Sequence, residues 1–122
     1  MNITDHHDGL GLNDLVEIVA SDEDANGVAH HFKFERHVPE GLNLAGFIQF
    51  QKGPRNEAGS TPGVTTDAVL VMLIHVLKGF NDTPLKSRET ALMITHLEEA
   101  LHWSQARARE RARRGVLGKT KA

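Results

Sequence analysis

A chain of 122 residues, 39% hydrophobic and 25% charged, is sized for one domain and composed like an ordinary globular protein, which excludes a disordered or fibrous class. It has no cysteine, so a disulfide framework, a thiol nucleophile and a thiolate metal site are excluded, and with no tyrosine and one tryptophan it has few rings on which bases could stack. The net charge of −2 hides a split: residues 1–40 carry nine acids and two bases, whereas residues 41–122 carry twelve bases and seven acids.

Residues 1–14 read as a flexible or turn-rich lead. Their polar, acidic start lacks the regions of a signal peptide, and no apolar run approaches the roughly 18 to 20 residues that cross a bilayer. A soluble intracellular protein is expected. Leu15–Ala20 reads as a strand from its β-branched content, and Asp22–Gly27 as a turn carried by Asn26-Gly27. Val28–Glu35 alternates, with Val28, His30, Phe32 and Phe34 on one face. After a loop over Pro39–Asn43, Leu44–Gln51 alternates again, placing Leu44, Gly46, Ile48 and Phe50 together. Three successive strands predict an antiparallel meander.

The loop from Gln51 to Gly63 is rich in Gly and Pro and holds Lys52 and Arg55. Thr65 or Thr66 caps a first helix, with Asp67 in its first turn, and Gly79 ends it. Thr83 and Pro84 suit the start of a second helix, which meets no breaker before Gly115 and would be about 46 Å long. The expected fold class is therefore α+β in a single domain over 1–122. A small N-terminal antiparallel sheet (residues about 15–51) and a loop (52–64) precede a C-terminal antiparallel two-helix hairpin (about 65–79 and 84–114). Among Ala68–Leu77 only His75 is polar, so the first helix needs cover on nearly every side. One sheet and one partner helix cannot supply that, and an oligomer is expected. The second helix has its own stripe at Ile94, Leu97, Leu101 and Ala108, interrupted by Ser104.

No catalytic constellation is evident. Glu98 and Glu99 are neighbours on a helix and face different ways, and no nucleophile has an activating partner. His30 and His31 point to opposite sides of a strand, and His96 and His102 lie on different helix faces. Neither a metal site nor a cofactor is expected. The basic residues do have a geometry: Arg107 and Arg111 are four apart and share a helix face. Guanidinium groups so placed suit a phosphate, although a cluster of this kind also serves nucleic acid, an acidic lipid or mere solvation. The Gly-rich loop feeding a helix N-terminus raises the same question of phosphate, without the spacing of a Walker A motif.

The stretch Phe50-Gln51-Lys52-Gly53-Pro54-Arg55, then Gly59 and Gly63-Val64-Thr65, resembles phage Thoeris anti-defence sponge proteins. So do Phe80, Arg88-Glu89, Leu97-Glu98-Glu99-Ala100-Leu101-His102-Trp103, and Arg107 through Arg111 to Arg114-Gly115-Val116. The likeness covers roughly residues 47–118, and the helical hairpin is also similar to that of the anti-CBASS cyclic-nucleotide sponges. The resemblance implies a non-enzymatic phage or prophage protein acting in the cytoplasm of the infected bacterium. Such proteins hold glycocyclic ADP-ribose intact, so that Thoeris immunity stays off. Relatives form dimers within hexamers, some with separate sites for cyclic di- or trinucleotides. By motif position the pocket, which lies between protomers, would use Arg55, Phe80, Thr90, Arg107 and Arg111. In that pocket Phe80 would stack on adenine while Arg107 and Arg111 hold the pyrophosphate and Arg55 closes over it. The chain departs from the family at Thr90, where an asparagine is usual, at Asn81 for a glutamine, and at Leu117 for a glutamate. A sponge for CBASS cyclic di- or trinucleotides is the alternative, and a nucleic-acid-binding protein using the basic helix end a more distant one.

Overall fold

β-branched and aromatic runs punctuated by Gly, Asp and Pro turns fold the N-terminal part as a sheet, and the stretches on either side of the Asn81-Asp82-Thr83-Pro84 turn fold as helices. A computed structural model describes residues 1–54 and 57–117. The chain divides into two compact units, one built on Met1–Lys52 and the other on the stretch from Val64.

The first unit is a four-stranded antiparallel sheet in the order β1 (Asn2–Ile3), β2 (Val16–Glu23), β3 (Ala29–Val38) and β4 (Gly41–Gln49). The expected lead of residues 1–14 thus contributes a strand of its own. Met1 donates its ammonium to the Ala20 carbonyl at 2.9 Å, and a ring nitrogen of His6 lies 2.6 Å from the Val16 carbonyl oxygen. The rest of the lead is turn-rich, as its composition implies. The Asp14 carboxylate accepts from the backbone N–H groups of Asp8, Gly9 and Gly11, which hold its pKa below the usual carboxylate range.

β2 runs on to Glu23, so the turn into β3 is tighter than Asp22–Gly27. The Asp24 side chain accepts from Asn26 and Val28, with Gly27 in the left-handed region at φ 79°. The second turn is shorter still. Pro39 and Glu40 join β3 to β4, and residues 41–43, expected in a loop, pair with Val38, His37 and Arg36. A β-bulge between Phe34 and Glu35 leaves Ala45 as an extra residue, with Phe34 opposite Gly46 and Glu35 opposite Leu44. Leu44 therefore shares a face with Phe47 and Glu35 rather than with Gly46 and Ile48, which corrects the simple alternation. Ala20 is buried at the centre of the opposite face, beside Phe32, and Phe32 meets Phe50 edge-on at 5.7 Å.

Asp22 is the one described non-glycine residue with a positive φ, 62°. Its carboxylate accepts from Lys52 Nζ at 2.7 Å and from Gln49 at 3.2 Å, and Lys52 also donates to the Glu23 carbonyl. Lys52 and Thr61 bridge through both main chains, which closes the base of the Gly-rich loop. The Lys52 ammonium, with Gln49 next, holds the Asp22 carboxyl below the usual carboxylate range. A carboxyl with a lowered folded-state pKa stabilises above its unfolded pKa, about 3.9, and loses that contribution as pH falls through the folded value. Asp22→Asn is accordingly expected to lower the urea midpoint at pH 7, with the gap from wild type shrinking toward pH 3. A gap constant with pH would mean that the ion pair contributes nothing.

The second unit is an antiparallel helical hairpin of α1 (Thr66–Asn81) and α2 (Arg88–Arg113). Thr65 caps α1 by accepting from the Ala68 N–H at 3.1 Å. α1 does not stop at Gly79 but continues to Asn81, because a single interior glycine costs only about 1 kcal/mol against alanine. α2 starts four residues later than Thr83 and Pro84 suggest. Ser87 is its cap, and the Thr83 hydroxyl is spent on the Phe80 carbonyl and the Leu85 N–H. Ile74 and Ile94 are buried between the helices, flanked by half-buried Leu97 and Leu101. The polar break at Ser104 is matched from α1: its hydroxyl donates to Asp67. With 26 residues against 16, α2 runs well past the start of α1.

Candidate functional site

Two ends of the hairpin carry the residues singled out above. At the closed end, α1 brings Phe80 to its last turn and leaves it 52% exposed. Thr90 stands in the first turn of α2, where its N–H donates to Ser87 Oγ at 3.1 Å and the two hydroxyls are 2.9 Å apart. Asn81 adds a further tie by accepting from the Ser87 N–H at 3.2 Å. Asn81 was noted from the sequence only as a departure from the family, and Ser87 was not singled out. The Ser87-Arg88-Glu89-Thr90 spacing, with its cap three residues before a hydroxyl, is the signal that could have found Ser87.

At the open end Arg107 is exposed on α2, and Arg111, one turn on, is buried to 7% exposure. An Arg111 guanidinium nitrogen donates to the Val116 carbonyl at 3.2 Å. Arg114 is drawn to Glu110 at 2.6 Å across one helical turn. The two ends are far apart. At about 1.5 Å per residue, Thr90 and Arg107 are separated by roughly 26 Å along α2. Phe80 and Thr90 are thus brought together, as are Arg107 and Arg111, but one hairpin does not join the two pairs around a small ligand. Arg55 lies outside the described residues.

Between these ends the hairpin presents an apolar groove of about 610 Å³, walled by Leu73, Val76, Leu92, Met93 and Leu97, with His96 its polar side chain. Val71, Met72, Leu73 and Val76 are each more than 40% exposed, so α2 alone does not give α1 the cover its composition calls for. His75 also lies exposed on α1. His30 and His31 of β3 are occupied separately. His30 lies near Val28 and Asp24, and His31 stacks on Phe47 at 5.4 Å.

Among the described residues, no helix is long and apolar enough to cross a membrane. The chain is 42% identical over 71 residues to a protein named Thoeris anti-defense 1 from Bacillus phage SBSphiJ7, a match covering 58% of this chain. It spans about half, 49%, of that relative's length. Residues 44–109, more than half of the chain, match the family described as Acb2/Tad1, hairpin domain. The match runs through the Gly-rich loop, both helices and Arg107, and on this the chain belongs to the Acb2/Tad1 hairpin-domain family.

Proposed function

We propose that the chain captures a cyclic nucleotide immune signal, glycocyclic ADP-ribose first, and holds it unaltered, so that Thoeris immunity in the infected bacterium is not triggered. The observation that carries this reading is a hairpin of the Acb2/Tad1 family with a pair of arginines on one face at its open end and an exposed aromatic at the other. A ring can stack on a purine, and arginines one turn apart can grip a pyrophosphate. Because these ends are some 26 Å apart, the reading requires a second copy of the chain to complete each pocket, with Arg55 contributed from the Gly-rich loop. The uncovered apolar faces of α1 supply the reason for such an oligomer, a dimer or a hexamer built from dimers. Thr90, with a hydroxyl where the family usually has a carboxamide, favours keeping cyclic di- and trinucleotides as a second ligand class.

The test is capture and release. The purified protein is mixed with glycocyclic ADP-ribose isomers and a panel of cyclic di- and trinucleotides, freed of unbound ligand, and heated. The released material is then identified by mass spectrometry. Recovery of the intact signal is the expected result. A cleaved product would make the protein an enzyme, and an empty protein would return the basic helix end to nucleic acid.

A further inference from the structure

α2 ends in a turn that binds Arg111 twice. Gly115 takes up φ 73°, the left-handed region, and its N–H donates to the Ala112 carbonyl at 3.0 Å. The Val116 N–H donates to the Arg111 carbonyl, also at 3.0 Å. This pair of reversed bonds is the Schellman closure of a helix. Here it has an addition: the Val116 carbonyl, brought back over the last turn, accepts from the Arg111 guanidinium. The residue whose backbone the turn caps is the residue whose side chain it holds. Arg111 is buried, whereas Arg107 on the same face is exposed. A guanidinium is planar and its donors are fixed in a fork, so a bond to one of them restricts the plane of the whole group.

We propose that the Arg114-Gly115-Val116 turn is a positioning element for Arg111, with Gly115 the residue that sets it, and that it pre-orients this guanidinium for a phosphate group of the ligand. The inference rests on the capture reading above for the ligand and for Arg111's contact with it. The orientation of Arg111 is a property of the free chain. Gly115 is well suited to the test, because none of the described residues lies within 4 Å of a Cβ placed there. A side chain at 115 therefore acts on the described residues through backbone torsion. Valine, which resists a positive φ, opens the turn, and asparagine, which tolerates it, does not.

Gly115→Val is expected to weaken glycocyclic ADP-ribose binding about tenfold, equivalent to about 1.4 kcal/mol. Gly115→Asn should stay within about twofold of wild type. In an Arg111→Ala background Gly115→Val should cost nothing further, because a positioning residue has no effect without the group it positions. In parallel, the guanidinium NMR signal of Arg111 in the free protein should be sharp and slowly exchanging in wild type and Gly115→Asn, and broadened in Gly115→Val. A Gly115→Val protein that keeps the signal overturns the proposal, as does one whose loss is undiminished without Arg111. Should wild type fail to bind glycocyclic ADP-ribose, the capture reading is what fails, and the Arg111 signal still decides the positioning role.

Discussion

Arg107→Ala is expected to weaken capture of the cyclic nucleotide by about 10- to 150-fold, the range that corresponds to losing charged hydrogen bonds of roughly 1.5–3 kcal/mol. Phe80→Ala should cost a comparable amount, since stacking one base on an aromatic ring contributes about 1–3 kcal/mol. Both side chains are exposed in the chain and neither lines the apolar groove, so neither substitution should disturb folding or assembly. Isothermal titration with glycocyclic ADP-ribose, alongside light scattering of the same samples, reads both properties. The two residues stand at opposite ends of the hairpin, so a loss in both variants with an unchanged oligomer would also support a pocket assembled from two chains. Unchanged affinity in both would move the site elsewhere.

Two glycines should respond to alanine with opposite signs. A Cβ at Gly63 would stand 2.4 Å from the Gln49 carbonyl oxygen and 2.5 Å from the Phe50 carbonyl carbon, where ordinary contact begins near 3.4 Å. The obstacle is backbone, which cannot rotate aside, and the Gly63 N–H is also held by the Gln51 side chain at 3.2 Å. Gly63→Ala must push the returning strand of the loop away from the end of the sheet. The cost should reach the upper range of overpacking, about 3 kcal/mol, or about 10 °C in melting temperature. Gly79, inside α1, meets none of the described residues within 4 Å, and Gly79→Ala should stabilise by up to about 1 kcal/mol through helix propensity. Thermal melts of the two variants beside wild type check both signs. A neutral Gly63→Ala would mean that the loop does not return along Gln49–Gln51.

Where sequence and structure agree, the reason is local. Phe32 and Phe34 share a face of β3 because successive side chains of a strand alternate, and Thr65 caps α1 because its hydroxyl needs only the N–H three residues on. The shared face of Arg107 and Arg111 likewise follows from helical spacing alone. Where they differ, the deciding contact comes from further along the chain. Leu44 changes face because the hairpin closes at Pro39 and Glu40, and the leftover residue has to be accommodated as a bulge. Thr83 could have capped α2, but its hydroxyl finds the Phe80 carbonyl first, and the helix waits for Ser87. The bond from Arg111 to the Val116 carbonyl depends on the chain reversing at Gly115, which no periodicity encodes.

The bulge at Ala45 has a consequence for how this hairpin can vary. The bond pattern on either side of it is already regular: Leu44 opposes Glu35, and Gly46 opposes Phe34. Ala45 is a residue of slack, exposed and paired with nothing across the strand. A version of the chain one residue shorter here would keep every cross-strand neighbour and every facing, whereas the same deletion elsewhere in β4 would shift part of the strand by one step and turn its side chains over. Length can therefore drift at this point of the sheet while the pattern of faces stays constant, and an alignment gap at position 45 would carry no structural meaning.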